Sequence, residues 1–268
     1  MANIAAGSVR WRLVALPTEH GGWGFVGEPL LLGLLLAPSV GGVALGVAAI
    51  ATFLLAHPLL LVVGDQQRHK WYPRTTLALR WAAGYTTVAV LGLLGAVLLA
   101  RQPFWLPLLI ASPLAATQIW QQAQHQNRAL LTECAGAVAL GATVTMLVLL
   151  AGGKPSIAWT LWGILAVRAV TAILYVRARI RQARGQTMRG TFPTMLHLAV
   201  AGLGIICAVL GMLPWLVAVA FIGLAVRCVV GFQPRQQAIP AKVIGMQEMV
   251  VALLTVLLVA AGYHTGIR

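Results

Sequence analysis

Apolar stretches long enough to cross a bilayer follow one another along almost the whole chain, broken only by short polar segments. A spanning helix needs about 20 mostly apolar residues, so the 268 residues leave room for about nine spans with short loops. Composition agrees: 60% of residues are apolar and 9% are charged. A soluble domain carries about 25% charged residues. A soluble globular fold is excluded. The expected fold class is all-α, a polytopic integral membrane protein.

With Pro, Gly and charge clusters as punctuation, the runs predict helices over Trp23–Ala37, Gly42–Val63, Leu79–Ala100, Phe104–Ile119 and Leu130–Ala151. Four more are expected over Ile157–Val176, Pro193–Leu210, Pro214–Val230 and Val243–Gly262. The first is short, and extending it back to Pro17 or Thr18 brings Glu19 and His20 to membrane depth. The domain reading is a cytoplasmic segment over 1–16, one transmembrane domain over 17–263 and a short tail over 264–268. Residues 1–16 carry Arg10 and Arg12 but no continuous apolar core of a signal peptide, so the segment is expected to be retained.

With nine spans the termini lie on opposite sides, and the cations choose between the two orientations. Of the 19 Lys and Arg residues, fifteen fall on one side, three (Arg101, Lys154 and Arg268) on the other, and Arg168 lies within the sixth span. The N-terminus is therefore expected inside. The formal charge of +14 follows from this asymmetry without nucleic acid, and anionic lipid headgroups are the expected partner.

The chain has five carboxylates, Glu19, Glu28, Asp65, Glu133 and Glu248, each at or just inside the cytoplasmic end of an expected helix. An acid at a helix centre costs about 2.5 to 3.5 kcal/mol to insert, so such groups are paired or line a polar cavity. Their shared depth predicts one cytoplasm-facing chamber. Glu133 and Glu248 also sit near helix N-termini, where the dipole favours a carboxylate. Arg168 is the complementary anomaly, attached about two turns inside its span. Arg168, Tyr175 and Arg179 are spaced by seven and four residues and share one helix face, open to a carboxylate or an anionic ligand.

The densest local signal runs from Pro17 to Pro29, with Glu19, His20, Glu28 and four glycines at the mouth of a span. Glycine permits close backbone approach, Pro29 frees a carbonyl in the preceding turn, and Glu19 with His20 can exchange a proton near neutral pH. A helix-packing notch with Trp23 as an interfacial anchor is the alternative. His57-Pro58 precedes Asp65, Arg68, His69, Lys70, Arg74 and Arg80, an anion or headgroup funnel against a plain solvated loop. Tyr175 to Gly185 is a basic run leaving span six, and Gln118 to Gln126 is rich in amides. No H-E-x-x-H spacing occurs, and only His57 and His197 are placed for an axial haem pair, so no metal or other cofactor is assigned. Cys134, Cys207 and Cys228 show no paired spacing and read as small hydrophobes.

The Pro17 to Pro29 string, Pro-x-Glu-His-Gly-x-Trp-x4-Glu-Pro, resembles the opening signature of the YwiC-like family of bacterial membrane proteins. Arg168 with Tyr175 to Arg179, and Gly245-x2-Glu248, fit the same resemblance, which implies a multi-pass protein of the bacterial inner membrane. A more distant resemblance is to the UbiA superfamily of intramembrane prenyltransferases, implying a UbiA-like helical bundle. Those enzymes hold magnesium on Asp-rich motifs, whereas here the exit of span two keeps Asp65 alone and the exit of span six carries arginines.

The expected activity is binding or conversion of an amphipathic lipid or isoprenoid. Its anionic head is drawn to Arg68, Arg74, Arg168, Tyr175, Arg177 and Arg179. Glu19, His20, Glu28, Asp65, Glu133 and Glu248 are the candidate catalytic groups. A proton-coupled transporter using the same acids as relays, and a non-catalytic subunit of a membrane complex, are the rival readings.

Overall fold

A computed structural model of the chain describes residues 10–17, 21–123, 129–186, 190–233 and 239–266. They form ten helices: α1 (Trp11–Ala15), α2 (Gly21–Leu36), α3 (Val40–Gln67), α4 (Pro73–Leu98), α5 (Leu106–Ala123), α6 (Leu130–Leu150), α7 (Pro155–Ala183), α8 (Thr191–Val209), α9 (Trp215–Gly231) and α10 (Ala241–Thr265). No strand occurs among the described residues. The protein is an all-helical membrane protein.

Among the described residues six helices, α3, α4, α6, α7, α8 and α10, are long and apolar enough to cross a bilayer, against the nine expected. The shortfall is one of length and composition. The described apolar parts of α2 and α9, Gly22–Leu36 and Trp215–Gly231, are apolar but short. At about 1.5 Å per residue, the 17 residues of α9 span about 26 Å, less than a hydrocarbon core of about 30 Å. Helix α5 carries Gln118 and Gln121 near its end, which dilute its hydropathy.

Helix ends also differ from the apolar runs. Helix α3 continues through Asp65 to Gln67, and α7 continues to Ala183, carrying Arg177, Arg179 and Arg181 on helical backbone. Charge ends an apolar run but does not end a helix, because Arg and Gln are good helix formers. Helix α4 begins at Pro73, whose missing N–H and fixed φ suit the first turn, and Thr75 Oγ1 accepts from the Tyr72 N–H to close its start.

The core sits on α6 and α7, where Val144, Leu147, Leu150 and Leu161 are fully buried. Around this pair pack α2, α5, α8 and α10, with α9 joining α8 and α10. Helices α3 and α4 pack mainly on each other. Gly92 makes that possible: a Cβ there would come within 2.8 Å of the Ala44 carbonyl oxygen. The segment around α1 docks on this pair. Val14 and Ala15 are buried, His57 Nε2 donates to the Leu13 carbonyl (3.0 Å), and Tyr85 donates to that of Ala15 (3.1 Å).

Candidate functional site: an ion-pair cluster on α7

Helix α7 carries four candidate side chains from its middle to its C-terminal end. Arg168, Tyr175 and Arg179 share the face that the seven-and-four spacing predicts, and all three are buried. Arg177 lies beside them, partly exposed. Each neighbouring helix brings one complementary group.

From α2 comes Glu28, whose Oε1 accepts from Arg168 Nη1 at 2.6 Å with both side chains buried. Two charges taken out of water at that depth hold only because each neutralises the other. From α6 comes Glu133, 2.9 Å from Arg177 Nη1 and about one-third exposed. From α10 comes Glu248, hydrogen-bonded through Oε1 to Arg227 Nη1 of α9. The Arg227 guanidinium lies over the Tyr175 ring, 4.1 Å from its centroid, a cation–π contact strengthened by exclusion of water. Tyr175 in turn meets His197 of α8 and Phe232 edge-on, at 6.2 and 5.6 Å. Gly231 leaves the space that the Tyr175 hydroxyl occupies. Helices α2 and α10, which carry Glu28 and Glu248, pack against each other as well as on α7.

Several buried polar atoms in it have no hydrogen-bond partner among the described residues: Arg168 Nε, Arg227 Nε and Nη2, His197 Nε2 and Glu248 Oε2. Each such atom costs about 1 to 3 kcal/mol unless water or a ligand satisfies it. Three of the five are N–H donors on guanidinium groups, which suits a ligand rich in acceptor oxygens.

Glu28, Glu133, Glu248, Arg168, Tyr175, Arg177 and Arg179 are thus brought together or linked through α7. Asp65 is not among them. Its carboxylate is taken by Arg74, with Nη2 to Oδ1 at 2.6 Å and Nε to Oδ2 at 3.2 Å, and by Thr75 Oγ1 to Oδ2 at 2.7 Å. This knot staples α3 to α4 across the turn containing His69, which adopts a left-handed φ of 53°. Arg68 is exposed beside it. Glu19 and His20 lie outside the described residues.

Two participants escape the sequence signals. Counting by side places Arg227 among the loop cations, although it lies inside its own apolar run, and that position is the available signal. His197 stands out in the sequence only as a haem-ligand candidate. Its Nδ1 instead donates to the Pro193 carbonyl at 2.8 Å, and His57 is bonded to Leu13. Of the amide-rich segment, Gln121 accepts from Thr132 and Gln118 packs against Gly136; Gln124, His125 and Gln126 lie outside the described residues. Among the described residues, no three His, Cys, Asp or Glu side chains group as metal ligands.

The fold and the cluster define a multi-helix membrane protein with an ionic core held on one long helix. The YwiC-like protein family matches residues 16–149, half of the chain, and the chain belongs to that family. The match covers Glu28, Asp65 and Glu133, while Arg168, Tyr175, Arg177, Arg227 and Glu248 lie beyond it. No curated protein and no solved structure matches the chain.

Proposed function

We propose that the α7 cluster binds the polar head of an amphipathic membrane lipid or isoprenoid, with its tail among the apolar helices. The supporting observation is the set of buried guanidinium N–H groups on Arg168 and Arg227 that the described residues leave open although both arginines already hold a carboxylate.

In this reading α2, α5 and α9 complete a nine-helix, UbiA-like bundle in the bacterial inner membrane, with the N-terminus and the cluster facing the cytoplasm. The support is the fifteen-to-three distribution of cations between the two sides. Glu28, Glu133 and Glu248 serve to hold the arginines in register and to exchange protons with a bound head; Glu19 and His20 are proposed to add acid and base capacity. Asp65 belongs to the α3–α4 staple, which leaves magnesium-held diphosphate without the acids it needs. Headgroup binding therefore fits the residues better than magnesium-dependent prenyl transfer.

The test is native mass spectrometry of the gently extracted full chain. The wild type is expected to retain lipid, and Arg168→Ala or Glu28→Gln to lose it while still inserting in the membrane. A lone apo chain would defeat the reading, a retained partner protein would favour a complex subunit, and lipid content unchanged in both variants would assign the cluster to structure.

A further inference from the structure

We infer that Tyr175, His197, Arg227 and Glu248, with the groove between α8 and α9, form one site for a membrane phospholipid whose phosphodiester head ends in an N–H or O–H donor. The inference rests on the headgroup reading above and names the chemistry of its ligand.

The open atoms define that chemistry. His197 is 2% exposed. A carbonyl only accepts, so Nδ1 carries the proton donated to Pro193, and in the neutral ring Nε2 is then a lone-pair acceptor. That Nε2 is buried and unpartnered. Glu248 spends Oε1 on Arg227 and leaves Oε2 buried and unpartnered, a second acceptor. Arg227 spends Nη1 and keeps Nε–H and Nη2–H, two donors. One pair of open donors beside two open acceptors matches a head with phosphoryl oxygens and, a few bonds away, its own donor. Ethanolamine and glycerol heads have one; a choline head, fully methylated, does not.

A place for the tail lies on the two helices that carry His197 and Arg227. An apolar groove of about 530 Å³ runs between α8 and α9, lined by Leu198, Ala201, Gly202 and Ile205 on one side and Val226 and Val230 on the other. On α8 the groove residue Ala201 lies one turn from His197, and on α9 Val230 lies about one turn from Arg227, so groove and cluster share the same level of these two helices. The Thr194 to Cys228 contact, 3.7 Å, ties the two helices together at that level. Gly202 faces open space: a Cβ there would meet nothing within 4 Å.

The experiment titrates the purified full chain in mild detergent with phosphatidylethanolamine, phosphatidylglycerol and phosphatidylcholine of identical acyl chains, and with glycerol 3-phosphate, read by native mass spectrometry. The ethanolamine or the glycerol lipid should bind at least about tenfold more tightly than the choline lipid, since an analogue lacking the donor leaves buried acceptors unpaired. Which of the two wins identifies the donor as amine or hydroxyl. His197→Phe and Glu248→Gln should erase the preference, and Gly202→Leu, which fills the groove and improves a helix position, should weaken all three lipids. Because Gly202→Leu leaves the core untouched, it keeps the test decisive if His197→Phe fails to fold. Equal binding of the choline lipid, a preference surviving Glu248→Gln, or glycerol 3-phosphate competing as well as a lipid would overturn the inference. Lipid retention that depends on Arg168 yet ignores the headgroup would overturn this inference alone; no retention by the wild type would overturn both readings.

Discussion

Glu28 and Arg168 are 140 residues apart in sequence and meet at 2.6 Å inside the bundle, both shielded from solvent. This pair ties α2, which carries the most distinctive local sequence, to α7, which organises the ionic core. Removing either partner leaves the other charge buried and uncompensated. Arg168→Ala is expected to destabilise the protein by about 3 to 5 kcal/mol, whereas Glu28→Gln with Arg168→Met in one chain should recover most of the loss. Thermal unfolding in detergent reads the difference; equal destabilisation by the single and double variants would show that the pair is not coupled.

Tyr175 contributes through its ring more than through its hydroxyl, because the Arg227 guanidinium lies over the ring face. Tyr175→Phe keeps that face and gives up the hydroxyl alone, so it should cost about 1 kcal/mol, the net worth of one hydrogen bond. Tyr175→Leu should cost up to about 2 kcal/mol beyond that through the lost cation–π contact. Melting curves of the two variants, compared in an Arg227→Met background where the gap should close, check the assignment.

The Asp65 knot predicts a local effect. Asp65→Ala removes the acceptor for Arg74 and for the fully buried Thr75. Arg74 is partly solvated, so its ion pair is screened and contributes little. Most of an expected loss of about 1 to 3 kcal/mol comes from stranding the Thr75 hydroxyl. Hydrogen exchange should rise in the turn between α3 and α4 and stay unchanged in α7. A matching rise in α7 would connect Asp65 to the central cluster after all.

Close packing of α3 on α4 depends on Gly92 and much less on Gly95. A Cβ at Gly92 would press on the Ala44 carbonyl and the Ala48 backbone, at 2.8 and 3.0 Å, whereas one at Gly95 would make ordinary contact with Ala44 at 3.4 Å. Gly92→Ala should therefore destabilise by about 1 to 3 kcal/mol through overpacking, and Gly95→Ala should be neutral or mildly stabilising through helix propensity. Side-by-side melting temperatures decide it.

How much of this is legible in the sequence follows from what each signal depends on. The membrane class, the helices and the shared face of Arg168, Tyr175 and Arg179 follow from hydropathy and helical spacing, which are local. The need of Arg168 for a partner follows from its depth, and Glu28 is a candidate because two acids, glycines and prolines crowd one span mouth. The pairing itself is not legible, since it depends on α2 packing beside α7. Arg227 is hidden for a related reason: counting cations by side treats each as a loop marker, and this one is held within a helix by Glu248 and Tyr175. Asp65 shows the converse. Its partner Arg74 lies nine residues away across a turn, a local staple that depth alone makes resemble a distant site.

The most direct test exchanges the central charges, Glu28→Arg together with Arg168→Glu, and measures retained lipid by native mass spectrometry beside the melting temperature. The swap restores an ion pair but moves the guanidinium from α7 to α2. The account predicts a folded protein whose lipid retention falls by about tenfold or more; retention equal to wild type in that folded variant would contradict it.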